Sequence, residues 1–473
     1  MRNLLILLFF VTLQAEASIV AIIDSGTDME HEMIMPKAFV NMQEIPDNNR
    51  DEDRNGYQDD VYGWNFAESN NEVIDYSYLG LLDDDIRLFF DLQVKMFKGT
   101  IQSDELAWME QARNNQDFLK RLGVYGNFMH GTHVAGISIR ANERAKVLAV
   151  KLIPTEVKLP GDSKTEAFSI AMGKAAQVVS EDENGEGLGD FLLKQAFSLL
   201  ASQQMNVMEE IGRYIDSHKV DVANGSFGTG FPQAAQIVQV LFKKFLRKDA
   251  TKEQIIKYAT YLINELIKEG QRFVGAAPNA LFVFAAGNDA LNNDLYPTSP
   301  TNIKADNVIS VAASMDLYAL APFSNYGEKN VDVAAPGVGI ESAVPGNKYL
   351  KVSGTSQAAP YVSHVASLIK DANPTLTPFA IKRIIMETVD FREFLIGVVK
   401  TGGLVNMMRA VEAARISTVS SLDEAIIQAN QMIPDQEGDM RFGYFNKGMR
   451  NPVMMIEGTV LPLPSPLKVR DTF

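Results

Sequence analysis

Four polar residues stand where apolar segments of this chain stop or begin. Asp24 ends "SIVAIID", His130 opens "HGTHVAGI", Asn288 closes "ALFVFAAGN", and Ser356 sits in "SGTSQAAPYVSHVASLIK". A serine hydroxyl becomes a nucleophile when an imidazole takes its proton, a buried carboxylate holds that imidazole, and N–H donors await the oxyanion. All four groups are present, in the order Asp, His, Asn, Ser. Each alone has a blander reading: Asp24 and Asn288 as turn residues, Thr355 or Ser356 as a helix N-cap. Their joint occurrence favours nucleophilic catalysis. His130 and His133 as a zinc pair would lack the Glu of H-E-x-x-H and a third ligand cluster, so His133, like His364, is read as structural.

These residues need elements to position them. Ala358, Ala359, Val362, Val365, Ala366, Leu368 and Ile369 recur near a 3.6-residue period, which predicts a buried helix. Pro360 is tolerated best in a first turn, so that helix is expected to begin close to Ser356, with the hydroxyl at its positive end. "SIVAIID", "AKVLAVKLI", "HKVDVANGS", "ALFVFAAGN", "NVISVAAS" and "VDVAAPG" are short apolar runs ending at small or turn residues, as strands covered on both faces do. Helical periodicity fills the intervals, notably Thr165–Val179, Phe191–Ile215, Ala234–Phe245 and Lys252–Glu269. This alternation predicts an α/β fold: a doubly wound, mostly parallel sheet with helices on both faces and its site at the carboxyl ends of strands.

The 473 residues, 46% hydrophobic, suffice for a large core. A net charge of −15 argues against nucleic acid and anionic membrane as partners. The chain has no cysteine, which excludes disulfides, thiolate metal sites and a cysteine nucleophile. The start "MRNLLILLFFVTLQAEAS" has an early Arg2, an apolar run from Leu4 to Leu13 too short to span a bilayer, and Ala15-Glu16-Ala17. It reads as a secretory signal peptide over residues 1–17, so export, secreted or periplasmic, is expected. The competing reading of this run is a buried first strand. No other segment reads as transmembrane, so an integral membrane protein is not expected. A main domain is expected over 18–415, with helical insertions at about 74–122 and 155–216, followed by a C-terminal extension over 416–473.

The motifs carry a resemblance. "AIIDSGTD", "HGTHVAGI" and "SGTSQAAPYVSHVASLI" resemble the Asp, His and Ser motifs of the subtilisin-like serine peptidases, the subtilase family, in that family's order. "NGSFGTG", "FAAGND" and "GGLVNMMRAVEAA" resemble its substrate strand, oxyanion segment and closing helix. The resemblance covers roughly Ser18 to Ala414 in pieces. It implies a subtilisin-like fold and a serine endopeptidase acting on proteins or peptides through an acyl-enzyme. Ser356 is then the nucleophile, His130 the base and then acid, Asp24 its orienting carboxylate, and Asn288 an oxyanion donor. It also implies that Ser226, Phe227 and Gly228 pair with substrate backbone, while Ala285, Ala286 and Gly287 line a roomy apolar pocket. Met129 departs from the Gly that commonly precedes the family's histidine. The competing class is an exported, catalytically silent relative that uses the fold for binding or chaperoning, and a fluorophosphonate probe would separate the two.

"DNNRDEDRNGYQDD" puts Asp51, Asp53, Asn55 and Asp59 around Gly56, much like a calcium loop, although Tyr62 stands where an EF-hand needs its Glu. A structural calcium is weighed there against a solvated acidic turn, and no cofactor is required for the chemistry. A monomer is expected. Subtilases commonly carry a folding prodomain, and the six residues between Ala17 and Asp24 leave no room for one. Folding without it, helped by the insertions or the tail, is therefore expected.

Overall fold

The computed structural model describes residues 17–156, 170–174, 177 and 187–437. The signal segment before Ala17, most of the helix expected at Thr165–Val179 and the end of the tail lie outside the described residues. The strands are β1 (Ile19–Asp24), β2 (Gly63–Asn65), β3 (Lys146–Lys151), β4 (Val222–Gly225), β5 (Leu281–Ala285) and β6 (Val308–Met315). They continue with β7 (Ala319–Leu320), β8 (Val333–Pro336), β9 (Ile340–Val344), β10 (Lys348–Val352), β11 (Asp390–Phe391) and β12 (Gly403–Leu404). The main sheet runs β11-β12-β8-β6-β5-β4-β1-β3-β2, with β7 pairing β6 and a separate β9–β10 hairpin. All pairs along it from β12 to β2 are parallel, as the apolar strand runs predict.

Successive side chains of a strand point to opposite faces, and β1 divides accordingly. Val20 and Ile22 enter one core, Ala21 and Ile23 the other. The first core is filled by α3 (Gln116–Ile139) and α7 (Thr355–Ala372), with α8 (Pro378–Glu387), α9 (Met407–Ile416) and α10 (Leu422–Met432) outside them. The second is filled by α4 (Leu188–Ser217), α5 (Phe231–Leu241) and α6 (Lys252–Glu269). α4 and α6 contain the helices expected at Phe191–Ile215 and Lys252–Glu269, while α5 covers the expected Ala234–Phe245 only as far as Leu241. The α5 segment ends as a wider π turn over Phe242–Leu246.

From β1 the sheet grows through β3 to β2 on one side and through β4 to β5 on the other. The strand order therefore reverses at β1 and β4, and the crevice beyond their carboxyl ends is where ligands sit in such sheets. Asp24 and Ser226 lie at those two ends.

The inserted stretch 74–122 is not a separate body. Its helices α1 (Asp84–Phe97) and α2 (Ser103–Arg113) pack against the first half of α3, which runs unbroken through Leu122 to His130 and beyond. Phe89, Phe90, Phe118 and Leu122 share one small core with Leu350 and Val352 of the hairpin. Met129 is 2% exposed and belongs to that core, which explains why a bulky residue replaces Gly there. Past Ala414, α10 buries Ala425, Ile426 and Ala429, and Arg409 donates to the Ile433 carbonyl and to Asp435, holding that stretch to the domain.

Candidate active site

Asp24 is fully buried at the end of β1. Its Oδ1 accepts the His130 Nδ1–H at 2.7 Å and the Ser25 backbone N–H at 2.7 Å. This fixes the imidazole with Nδ1 protonated, and Nε2 carries no hydrogen bond to protein. The approach of α3 to β1 depends on Gly131. A Cβ there would lie 2.2 Å from the Gly26 carbonyl oxygen and 3.1 Å from Asp24 Cβ.

Ser356 is the second residue of α7, and its Oγ donates to the Ser226 carbonyl at 3.1 Å. The expectation for Pro360 needs correction: it lies beyond the first turn, in the helix interior. A proline there withholds the N–H that the carbonyl four residues earlier would accept. That carbonyl belongs to Ser356, and it accepts the Ser226 hydroxyl at 3.2 Å instead. Asn224 Nδ2 donates to the same hydroxyl at 2.9 Å, and Ser363 Oγ donates to Asn224 Oδ1 at 2.9 Å. A buried polar chain thus ties β4 to the serine's helix.

Asn288 follows β5. Its Oδ1 accepts the Thr355 N–H at 2.8 Å and the Thr355 hydroxyl at 3.0 Å, so the amide donor Nδ2 is left for a ligand. The turn before it needs glycine: Gly287 has φ +110°, and a Cβ would lie 2.5 Å from Asn325.

A cleft lies beside Ser356, about 350 Å³ with its solvent-open mouth included. Ser226, Phe227 and Gly228 line one side, and Ala285 and Gly287 another. Ala286, expected among them, does not line it and is buried in a small core with Ala312 and Ala334. Asp289 and Thr298 also line it, though no local motif marks either residue. Burial raises the Asp289 carboxyl above its ordinary pKa, opposed by a hydrogen bond from Gln233.

His133 lies wholly inside, its Nε2–H on the Leu350 carbonyl at 3.0 Å. Burial pushes its pKa down to about 3 against that carbonyl's opposing pull. His364 is also buried, and its pKa is pushed down to about 4 for the same reason.

The acidic loop gathers Glu44, Asp51 and Asp53, one oxygen of each within 4.8 Å of the others. Glu44 was missed because it precedes the motif. Asp59 is not in this group: its carboxylate accepts the Asn48 and Asn49 N–H groups. Asn55 directs its amide donor to Asp53 and Asp60. Asp53 also neighbours Asp60 and His218, whose pKa burial would lower but the Asp60 carboxylate and Tyr214 carbonyl raise.

The site thus holds a serine at a helix start, an imidazole on a buried carboxylate and an amide donor, the kinds of group that a serine hydrolase uses. The model of the subtilase family matches residues 15–410, and the chain belongs to that family of serine peptidases. Subtilisin-like protease 1 of Plasmodium falciparum is 26% identical over 414 residues, covering 85% of this chain and 44% of its own. Alkaline elastase YaB of a Bacillus strain is 38% identical over 112 residues, covering 24% of this chain and 28% of its own. The chain spans less than half the length of these curated relatives. A solved cold adapted subtilisin-like serine proteinase shares 17% identity with a TM-score of 0.41, over 84% of this chain and 89% of that one.

Proposed function

We propose that this chain is an exported serine endopeptidase that cleaves peptide bonds through Ser356, His130 and Asp24. The observation that carries the reading is the 2.7 Å bond from His130 Nδ1 to the buried Asp24, which leaves Nε2 as the only proton acceptor of that ring. Ser356 Oγ turns from the Ser226 carbonyl toward Nε2 and attacks the substrate carbonyl carbon. The Oγ–C bond forms as the proton passes to Nε2, and Asp24 stabilises the imidazolium. Asn288 Nδ2 and the Ser356 N–H, near the positive end of α7, hold the oxyanion. Collapse breaks the C–N bond, the Nε2 proton leaves on the amine, and water repeats the sequence to release the acid. Ser226, Phe227 and Gly228 pair with the extended substrate beside the cavity. Export is supported by the charged start, short apolar run and Ala-x-Ala ending of residues 1–17. Among the described residues no helix is long and apolar enough to cross a membrane.

A fluorophosphonate probe tests the reading. Stoichiometric labelling at Ser356, lost in Ser356→Ala together with peptide hydrolysis, is the expected result. A folded, unlabelled wild type would favour the silent binding protein.

A structural calcium belongs to the same proposal. Glu44, Asp51 and Asp53 offer only hard oxygen donors, close enough to share one cation, so the set fits the ion. Bound there it would neutralise the carboxylates and pin the loop, with no part in the chemistry. Chelation should then lower the melting temperature. An unchanged melting temperature, with no calcium copurifying, would leave an acidic turn.

A further inference from the structure

We infer that Asp289 makes the cavity beside Ser356 a receptor for a basic side chain, so that the peptidase cleaves after lysine or arginine. The inference rests on the peptidase reading and adds its substrate class.

The cavity walls are mainly backbone, small side chains and the Phe227 ring. Its hydroxyls are already engaged, Ser226 with the Ser356 carbonyl and Thr298 with Asn293. Asp289 differs. It immediately follows Asn288 and lines the same cavity as Ser356, which on the peptidase reading receives the side chain before the scissile bond. Among the described residues no Lys, Arg or His forms an ion pair with it. Its one side-chain hydrogen bond among the described residues is a long one, from Gln233 Nε2 to Oδ1 at 3.4 Å. Oδ2 lies against Gly230, where a Cβ would stand 3.1 Å away, so the absence of a side chain at 230 leaves the carboxylate uncovered.

A half-buried carboxylate with spare acceptor capacity, in a cavity lined otherwise by uncharged residues, is unfavourable until a cation with N–H donors arrives. A lysine or arginine supplies both parts: its alkyl stem covers Phe227, Gly228 and Ala285, and its charged head reaches Asp289. An apolar side chain fills the same space but strips water from the carboxylate without replacing it. An acidic one adds like-charge repulsion.

Two peptidyl diphenyl phosphonates, identical except for lysine or norleucine at the position before the phosphorus, test this directly. The chains match closely in length and differ chiefly in the charged head. Second-order inactivation constants are measured on the full chain, with the fluorophosphonate probe as control. Wild type should react about tenfold or more faster with the lysine compound, a difference of about 1.4 kcal/mol. Asp289→Asn should collapse the ratio toward one, and Asp289→Glu should keep the preference. Equal or faster reaction of wild type with norleucine overturns the inference and leaves the peptidase reading standing. So does reaction with the probe but with neither phosphonate. A lysine preference unchanged in Asp289→Asn removes the assignment to Asp289. If neither the probe nor the phosphonates react with folded protein, the inference and the peptidase reading fall together.

Discussion

The Ser226 hydroxyl donates to the Ser356 carbonyl at 3.2 Å, the acceptor that Pro360 leaves without an intrahelical partner. One side chain from the end of β4 thereby replaces a missing helix bond at the residue expected to carry the nucleophile. Ser226→Ala should orphan that buried carbonyl and cost about 1–3 kcal/mol. Pro360→Ala restores an N–H in reach of the same carbonyl, so the Ser226→Ala penalty should shrink in that background. Denaturant unfolding of the four proteins in a double-mutant cycle measures the coupling. Additive penalties would show that the two residues act independently.

Asn288 has separable halves, an acceptor serving Thr355 and a donor facing the site. Asn288→Asp keeps an acceptor for the Thr355 N–H, while Asn288→Leu loses both functions. Both should lower kcat by roughly 10²–10³ or more, the scale set by the corresponding donor of subtilisin. Only the leucine variant should also unfold more easily, by about 1–3 kcal/mol for the unpaired Thr355 donor. Peptide hydrolysis and thermal melts on the same preparations separate the two effects. An aspartate variant with wild-type kcat would remove Asn288 from the oxyanion site.

Gly131 sets the distance between α3 and β1. Gly131→Ala places a methyl group 2.2 Å from the Gly26 carbonyl oxygen, which backbone must move to accommodate. The expected cost is about 1–3 kcal/mol of stability, with a loss of activity as the 2.7 Å bond from His130 to Asp24 is pried apart. A variant with unchanged melting temperature and turnover would mean that the helix shifts freely, contrary to the packing described.

Two buried histidines make stability pH-dependent. In the folded chain His133 titrates near about 3 and His364 near about 4, both lowered by burial from an ordinary 6.5. Between about 6.5 and 4 the unfolded chain therefore binds more protons than the folded one. Their contribution is full above about 6.5 and is lost as the pH falls, so the melting temperature should drop between pH 7 and 5. His218, with its raised value, opposes this by favouring the fold in acid. His364→Asn should flatten the slope by up to one proton, about 1.4 kcal/mol per pH unit. Superimposable pH profiles of the two proteins would exclude His364 as a contributor.

Strand and helix ends were legible in the sequence because local chemistry sets them. Apolar runs stop at Asp24 and just before Asn288, and helical periodicity begins beside Ser356. The parallel sheet follows from strands apolar on both faces alternating with helices, and the order of motifs carries the family. None of these features requires knowing which residues meet.

Contacts between distant residues had to come from the tertiary structure. Pro360 reads as a first-turn residue until β4, 130 residues upstream of the serine, brings a hydroxyl to the carbonyl it leaves bare. The 74–122 stretch reads as an insertion, but its aromatic residues close on the β9–β10 hairpin, so it becomes part of the histidine's own helix and core. Nothing local in the sequence marks Asp289, and only the fold of Gly230 and Phe227 around it turns that carboxylate into a cavity wall. Periodicity records which face of an element is buried. It does not record against what, because that depends on crossovers and packing summed over the whole chain.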